Sequence, residues 1–335
     1  MPKVAITSLP VSALFGVRKP SGPTSMSVIN DIKQLVARSK LFVDAGKLEA
    51  AKNAPKKNKR ARDVVKIGQG GTLDPLADGV LVIGVGKGTK KLSEFLDCTK
   101  EYRTTCLLGC ETDTYDSEGA AVRFSPWKHV TKENVEKMLE KFRGEIEQTP
   151  PIFSALKMDG RPLYEYARRG LPLPRPIEKR KVTVHSLELV EWLGNEHKFS
   201  FPEKKFTEEQ KAAMSKALES TGESGPLQDE PESDSSAAAQ SPSAFVLSMK
   251  VSGGTYVRSI VHDLAHELGS AGHVVTLSRA RQGRFALEPN ADDGDYGCLP
   301  WELFEQATKD VGEADEDGWT EWERQVKDIM EVVES

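Results

Sequence analysis

The chain has 335 residues, 38% of them hydrophobic, and a formal net charge of −5; this length allows one large domain or two. No apolar run approaches the roughly 20 residues of a membrane-spanning helix, so a soluble protein with no membrane partner is expected. Four cysteines are too few for a disulfide scaffold of this length, and reduced thiols are expected.

The charge is distributed unevenly along the chain. Residues 1–100 carry a net charge of +10, residues 101–200 are balanced, and residues 201–335 carry −15. Because charge acts within a Debye length of about 8–10 Å, a basic first third can bind phosphates although the whole chain is acidic. Ordinary solvated faces explain the same pattern, so charge alone leaves nucleic-acid binding open.

Strand and helix patterns alternate in the first half of the chain. Residues 14–17 form a short apolar strand pattern, and Ser27 is the predicted N-cap of a helix with apolar residues at helical spacing. The continuous apolar run 80–85 predicts a buried strand. Thr131 is predicted to cap a second amphipathic helix that ends at Gly144.

The second half continues in the same way. Val182 and Val184, and later residues 245–251, alternate as half-buried strands do. A helix is predicted over residues 256–268, stopped by Gly269. Strands of uneven spacing with few helices favour an α+β domain around one large sheet.

Two stretches have the composition of insertions. A basic insertion over residues 44–63 centres on KNAPKKNKRAR, and it is predicted to be a mobile arm that contacts phosphates or serves as a nuclear address. An acidic insertion over 200–243 is too polar to offset its ordering entropy. One domain is therefore predicted over 14–287, with an N-terminal extension at 1–13 and an acidic C-terminal tail at 288–335.

A histidine pair resembles a zinc-binding helix. His262 and His266 stand at i and i+4, with His273 further along, almost as in a metzincin protease. The acid between them is Asp263, one methylene shorter than the expected Glu, and the third His falls one residue late. No metal site is predicted here, and a zinc hydrolase is kept only as an alternative.

Two further motifs have simpler explanations. Cys106 and Cys110 lack a second pair at metal-binding spacing, and two packed thiols on a strand are predicted instead. The glycines of GVGKGT, residues 84–89, fit neither the dinucleotide nor the Walker A spacing, which favours a tight turn.

The stretch GGTLDPLADGVL contains the strongest candidate for chemistry. Asp74 lies between Gly70-Gly71 and Pro75, immediately before the predicted buried strand. The glycines allow a ligand to approach the backbone closely, and Pro75 biases Asp74 toward an extended conformation. The residues therefore suggest a presented carboxylate, although an aspartate that merely closes a turn fits them too.

This stretch, extended to GGTLDPLADGVLVIGVGKGTKKL, strongly resembles the TruB family of pseudouridine synthases. Four other blocks resemble the family in the same order, and together they cover most of residues 14–285: KPSGPTS, KEYRTTCLLGCETDTYDSEG, FRGEIEQTPPIFSALKMDGRPLYEYARRG and GGTYVRSIVHDLAHELGSAGHVVTLSR. The basic loop, the acidic insertion and the lack of an evident C-terminal PUA domain are similar to the eukaryotic, fungal-type members that modify uridine 55 of tRNA.

The resemblance implies a fold and an activity. The fold would be the α+β pseudouridine synthase-like domain around a large mixed, mainly antiparallel sheet. The activity would be a stand-alone isomerisation of uridine 55 in the tRNA T-loop to pseudouridine by base flipping. The enzyme would be a monomer that binds the T-arm without a guide RNA. It would use no cofactor and no metal, because the rearrangement involves no redox change.

The resemblance also implies catalytic residues. By its place in the family motif, Asp74 is the catalytic carboxylate, which must be ionised whether it attacks the sugar or the base or abstracts a ribose proton. Arg258 lies in the TYVR segment, where the family pairs an arginine with that carboxylate. Tyr102 corresponds to the aromatic residue that stacks on the flipped base.

Further positions are implied to bind the substrate. Tyr256 and Leu277 match pocket-lining positions, and Lys19 lies in the KPSGPTS block. Gln69 stands where the family usually has a histidine that contacts RNA near the flipped nucleotide. Glutamine donates and accepts hydrogen bonds but does not titrate near neutral pH, so activity is expected to survive this change.

Two points stay open at this level. An RNA-binding or RNA-folding protein with secondary catalysis is the alternative from another functional class, although Asp74 argues against a purely non-catalytic module. The N-terminus is a poor secretory signal and only weakly compatible with an organelle presequence. Nucleus and mitochondrion are the expected locations, with the cytoplasm left open.

Overall fold

The structure, a computed structural model, describes residues 8–53, 64–154, 156–204, 207, 209–210, 212 and 241–334. The chain divides into two compact units. We call Met1–Glu101 with Ser278–Ser335 the terminal unit, and Tyr102–Leu277 the central unit. Residues 54–63 of the basic insertion, including its Lys56–Arg60 core, and most of the acidic insertion lie outside the described residues.

Strands and helices alternate irregularly along the chain. The strands are β1 (Ala13–Lys19), β2 (Ile67–Gln69), β3 (Asp78–Val85), β4 (Lys100–Leu108), β5 (Cys110–Thr112), β6 (Ala121–Phe124), β7 (Gly144–Gln148), β8 (Lys157–Met158), β9 (Arg161–Pro162), β10 (Arg180–Gly194), β11 (Ala244–Val251), β12 (Gly272–Gln282), β13 (Phe285–Ala286), β14 (Cys298–Pro300) and β15 (Glu331–Val332). The helices are α1 (Ser25–Val36), α2 (Ala45–Asn53), α3 (Leu92–Asp97), α4 (Lys132–Met138), α5 (Leu163–Arg168), α6 (Val257–Glu267), α7 (Trp301–Lys309) and α8 (Glu321–Ile329), with 3-10 turns at Gly86–Lys91, Leu139–Phe142 and Ala291–Asp293.

The terminal unit is organised around the antiparallel pair of β1 and β3. Their register runs from Ala13 opposite Val85 to Lys19 opposite Gly79. The strands follow the order β14–β1–β3–β12, and both the β1–β14 and the β3–β12 pairings are parallel. The continuous apolar run of β3 is explained by this central position, because a strand covered on both faces needs apolar residues throughout.

Helix α1 begins three residues earlier than predicted. Its N-cap is Thr24, whose hydroxyl accepts a hydrogen bond from the backbone N–H of Ser27. The prediction of Ser27 as the cap was therefore wrong. The buried residues on one face of α1 are the apolar ones expected from the sequence, together with Ser25. Ser25 has a different function, because its hydroxyl is buried and bonded to Leu73.

The acidic C-terminal segment differs from the tail expected from its composition. Strands β14 and β15 both pair with β1, and helices α7 and α8 bury Trp301, Phe304, Trp322 and Val326 in the core cluster of the terminal unit. Most of the charged side chains on these two helices are exposed, although Glu323 is buried, and this explains why the composition alone suggests a polar tail.

The segment should therefore contribute strongly to stability. Trp322 is 3% exposed, and its ring lies 6.4 Å from those of both Phe42 and Phe304. We expect Trp322→Ala to lower the free energy of unfolding by about 3–5 kcal/mol, as for large aromatic truncations in cores. Urea unfolding measures this, with the exposed Val311→Ala as control; equal stability of the two variants would contradict the packing described here.

The central unit contains the strand order β12–β4–β11–β10–β7. The long strand β10 pairs antiparallel with β7 and with β11, and the β10–β11 register shifts at three places.

Thr131 caps α4 as predicted, and its hydroxyl accepts a hydrogen bond from the N–H of Asn134. Gly144 does not end this helix; a 3-10 turn follows α4, and Gly144 begins β7.

Helix α6 is the helix predicted over residues 256–268, and it is one residue shorter at each end. Ile260, Val261, Leu264 and Ala265 are fully or almost fully buried along it. Gly269, with φ of +73°, reverses the chain just beyond the C-cap as predicted.

The acidic insertion begins later than its composition suggests. Phe199 and Phe201 pack against the small apolar cluster of Leu107, Ala244 and Val275 in the central unit. The ring of Phe201 also meets that of Phe124 edge-on at 5.5 Å. The first residues of the predicted insertion therefore belong to the folded domain.

The predicted fold class, α+β with a large mixed, mainly antiparallel sheet, is confirmed. Within the described ranges, no helix is long and apolar enough to cross a bilayer. Cys106 and Cys110 are buried thiols as predicted, and burial raises the pKa of Cys110 to about 12.

Candidate functional site

The loop between β2 and β3 carries Asp74 and is fixed at its start by backbone contacts. The N–H of Gly70 donates to the carbonyl of Val82 at 2.9 Å, and Gln282 Nε2 donates to the carbonyl of Gly70 at 2.6 Å. Gly71 follows with φ of +142°, a conformation that L side chains rarely adopt. The two glycines thus serve the path of the loop itself.

A buried arginine holds the same part of the loop. Arg279 on β12 is 2% exposed, and its guanidinium donates to the carbonyls of Val80 at 2.8 Å and Gly71 at 3.0 Å. Strands β3 and β12 approach so closely here that a Cβ on Gly79 would lie 2.3 Å from the carbonyl oxygen of Arg279. A charged donor satisfied by backbone carbonyls is a strong link when it is buried.

Ser25 fixes the residue before the candidate carboxylate. Its hydroxyl accepts a hydrogen bond from the N–H of Leu73 and donates one to the carbonyl of Leu73, both at 2.9 Å. This two-way contact ties the start of α1 to the loop immediately before Asp74.

Lys19 fixes the residues after Asp74. Its ammonium donates to the carbonyls of Pro20 at 2.8 Å, Pro75 at 3.2 Å and Ala77 at 2.6 Å, which uses all three N–H groups. Burial lowers the pKa of Lys19 to about 8, although Asp74 and a second carboxylate nearby oppose that shift. The structure gives Lys19 a positioning role, and its direct contact with RNA stays a prediction.

Gln69 lies at the end of β2. Its amide Nε2 donates to the hydroxyl of Thr72 at 3.1 Å. Its Oε1 is buried and has no hydrogen-bond partner among the described residues. The contact of Gln69 with RNA stays a prediction.

These contacts leave Asp74 half-buried on an immobilised backbone. The loop is tied at Gly70, Gly71, Leu73 and Pro75, on both sides of the carboxylate. The carbonyl of Asp74 also accepts from the N–H of Ala77 at 3.1 Å. A rigidly presented carboxylate fits chemistry that requires a fixed attack geometry.

In the central unit, Arg258 lies at the start of α6 and is 4% exposed. Its guanidinium donates to the carbonyls of Thr114 at 2.5 Å and Phe153 at 3.0 Å, and it lies 3.7 Å from Asp116 Oδ2. Asp116 is equally buried and accepts from the hydroxyl of Thr114 at 2.6 Å. The arginine is thus oriented from its own unit; its pairing with Asp74 stays a prediction.

The other predicted pocket residues also lie on defined elements. Tyr256 is the N-cap of α6, and the side-chain amide of Gln148 bonds both its N–H and its carbonyl, at 2.8 and 2.9 Å. Tyr102 and Leu277 are largely buried on the neighbouring strands β4 and β12. Their roles in binding the base stay predictions.

The metzincin-like arrangement does not form. His273 is fully buried on β12, where its Nδ1 bonds the carbonyl of Cys110 at 2.7 Å, and burial lowers its pKa to about 4. Asp263 lies 2.8 Å from Nδ1 of His262, so this carboxylate is not placed as a general base. The structure gives the zinc-hydrolase alternative no support.

Comparison with known proteins decides the family. Residues 59–207 match the model described as the TruB family pseudouridylate synthase N-terminal domain. The chain is 35% identical over 341 residues to tRNA pseudouridine synthase 4 of Schizosaccharomyces pombe, covering 86% of this chain and 83% of that protein. The chain belongs to the TruB family of pseudouridine synthases. The predicted family and enzyme class are confirmed.

Other relatives agree with this assignment. TruB-family matches include tRNA pseudouridine synthase 4 of Saccharomyces cerevisiae, at 35% identity over 84% of this chain and 79% of that protein. Pseudouridylate synthase TRUB1 of Mus musculus is also 35% identical, over 86% and 68%. A crystal structure of a Cbf5-Nop10-Gar1 complex matches with a TM-score of 0.50 and 20% identity, over 96% of this chain and 60% of that one. This last likeness concerns the fold alone.

Several residues that hold the candidate side chains in place within each unit were not singled out from the sequence. Ser25, Asp116, Gln148 and Arg279 all lie inside the TruB-like blocks, so the blocks marked their segments but not the individual side chains. Gln282 lies outside the quoted blocks, and nothing in its sequence context marks it. Spacing cannot reveal a polar side chain whose partner is a distant backbone carbonyl.

Proposed function

We propose that this chain isomerises uridine 55 in the T-loop of tRNA to pseudouridine. The observation that carries this proposal is the Asp74 loop, whose backbone is tied on both sides of the carboxylate by Lys19, Ser25 and Arg279. The printed names of the fungal relatives, tRNA pseudouridine synthase 4, support tRNA as the substrate.

The product contains the same atoms as the substrate, apart from hydrogens that exchange with solvent. The C1′–N1 bond breaks, the base turns, and C1′ joins C5. The hydrogen on C5 leaves as a proton, and N1 gains a proton. Because no electrons are gained or lost overall, acid–base and covalent catalysis by side chains suffices.

Each of the three predicted catalytic residues has a part in this chemistry. The ionised carboxylate of Asp74 attacks the sugar or base or removes a ribose proton, and all three routes need the fixed loop. Arg258 keeps that carboxylate ionised and oriented. The ring of Tyr102 stacks on the flipped base and offsets part of the cost of unstacking it.

The proposal extends to the partner and the oligomeric state. The enzyme recognises the T-arm as a monomer and needs no guide RNA. The test is to incubate the purified protein with unmodified tRNA, and separately with an isolated T-arm hairpin, and to map pseudouridine by chemical modification and sequencing. Modification of uridine 55 in both RNAs is expected; modification only after a second RNA is added would contradict the stand-alone reading.

A prediction concerns Tyr102. Tyr102→Ala removes the ring and with it the stacking on the extruded base. It should raise the activation free energy of single-turnover isomerisation by about 1–3 kcal/mol, which slows the reaction roughly 5–150-fold. Tyr102→Phe retains the ring and should keep most of the rate. Equal rates for Tyr102→Ala and wild type would show that this ring does not contact the base.

The basic segment carries another prediction, although its lysines lie outside the described residues. Replacing Lys56, Lys57, Lys59 and Arg60 by glutamine should weaken tRNA binding and flatten its salt dependence. Each lost phosphate contact lowers the slope of log K against log salt by about 0.7–0.9. Affinities measured over a salt series test this. An unaltered slope would show that the segment does not contact RNA.

Location in the cell is also proposed, as nucleus and mitochondrion. The support for the nucleus is the same cluster of basic residues, which fits a nuclear address. Imaging of the tagged full chain and of the glutamine variant separates this role from RNA binding. Loss of nuclear signal in that variant with tRNA binding unchanged would assign the cluster to import alone.

A further inference from the structure

A cluster of ligand-type side chains lies in the central unit and has no part in the proposed isomerisation. Glu111 on β5 and His262 and His266 on α6 bring one ligand atom each to within 4.8 Å of one another. His262 Nε2 is 3.2 Å from Glu111 Oε1, and His266 Nε2 is 2.9 Å from Glu111 Oε2. We propose that these three residues form a binding site for a divalent transition-metal ion such as Zn²⁺.

The chemistry of the donors supports a borderline-soft cation. Two imidazole nitrogens and one carboxylate oxygen are a ligand set that Zn²⁺ accepts, with further positions left for water. The two histidines stand at i and i+4, so one helix face presents both. Glu111 lies 151 positions before His262 in the chain, so sequence spacing does not connect it with the histidine pair.

The surroundings of His262 also fit a metal ligand. The side chain is 6% exposed, and its Nδ1 lies 2.8 Å from Asp263 Oδ1. A carboxylate on Nδ1 fixes the tautomer that leaves the Nε2 electron pair for a metal. That Nε2 is buried without a geometrically sound hydrogen bond within the described part of the chain. The ring of Tyr115 stacks on the imidazole at 4.0 Å and holds its plane.

A protein cation occupies the same place in the present structure. Arg123 on β6 lies 2.7 Å from Glu111 Oε2 and makes a very short contact with Nε2 of His266. Its side chain is 29% exposed and can turn toward solvent. His266 is the most exposed of the three ligands, which gives an ion access to the cluster. Metal binding therefore exchanges one cation for another at Glu111.

The ion would link the β5–β6 hairpin to α6, whose first turn carries Arg258.

The test uses the full-length protein, stripped with a chelator and then titrated with Zn²⁺ alone, and separately with Co²⁺ for its spectrum. We expect about one ion per chain, a higher melting temperature, and a Co²⁺ spectrum without a thiolate charge-transfer band. Asp263→Asn should bind zinc roughly 10–100-fold more weakly, as for other partners of metal-bound histidines. Arg123→Met should bind it more tightly, because the competing cation is gone.

Matched variants separate this site from others. His266→Gln and Glu111→Gln should lose the ion, whereas His185→Ala, an exposed histidine of the same unit, should retain it. Circular dichroism of the stripped proteins shows that the variants fold. Unchanged zinc affinity in both ligand variants, or no stoichiometric binding to the wild type, would overturn the proposal. Pseudouridine formation in excess chelator is measured on the same preparations. This measurement tests the proposed isomerisation separately from metal binding.

Discussion

Asp74→Asn should abolish turnover while tRNA binding persists. The substitution keeps the shape of the side chain and removes its charge, and the loop that carries it is held by contacts to neighbouring backbone atoms. We expect the single-turnover rate to fall on the order of 10³-fold or more, equivalent to about 4 kcal/mol of transition-state stabilisation. Single-turnover kinetics and a filter-binding isotherm on the same tRNA measure the two effects.

The control for this variant is Asp97→Asn, an exposed carboxylate on α3 of the same unit. It should leave both rate and affinity close to those of the wild type. Near-normal single-turnover rates for Asp74→Asn would remove Asp74 from the chemistry, and the RNA-binding alternative would then explain the protein better. Loss of affinity together with rate would instead point to a role in docking.

Arg258→Ala should cost on the order of 10²–10³-fold in rate, which is the second largest effect we expect. The guanidinium makes a fork of hydrogen bonds to Thr114 and Phe153 and lies beside Asp116, and the alanine removes these contacts together with the positive charge. Arg258→Lys keeps the charge but not the fork, so it should be impaired as well.

Structural damage and catalytic loss must be separated for Arg258. Ser259→Ala removes a neighbouring buried hydrogen bond from α6, to the carbonyl of Thr149, and should lower stability without a comparable loss of rate. If Asp74 and Arg258 act as one unit, the double variant Asp74→Asn/Arg258→Ala should be little worse than Asp74→Asn alone. Strictly additive losses would show that the two side chains do not interact.

The sequence predicts much of the fold because the strongest patterns are local. The apolar run of β3, the Thr131 cap and the face of α6 all follow from residue type and spacing. The packing of the C-terminal helices into the core escapes prediction because their many acids obscure a few large buried side chains, among them Trp322. The N-cap of α1 was misplaced because Thr24 and Ser27 are both acceptable caps, and only the backbone decides between them.

The candidate site, like the fold, is only partly predictable from the sequence. Asp74 stands out locally, as a carboxylate between glycines and a proline, and the family resemblance adds Tyr102 and Arg258. The supports for the loop do not stand out, since Arg279 and Gln282 act on carbonyls more than 180 positions away. Such contacts depend on which strands become neighbours, and that information is not local.

The most direct test of the central claim follows the hydrogen on C5 of the uridine. Unmodified tRNA with tritium at C5 of its uridines is mixed with excess enzyme, and tritium released to water is counted while pseudouridine is mapped in the same sample. We expect release of about one tritium per tRNA, in step with pseudouridine at position 55, and none with Asp74→Asn, since joining C5 to C1′ expels that hydrogen. Equal release by wild type and Asp74→Asn, or no release with tightly bound tRNA, would contradict it.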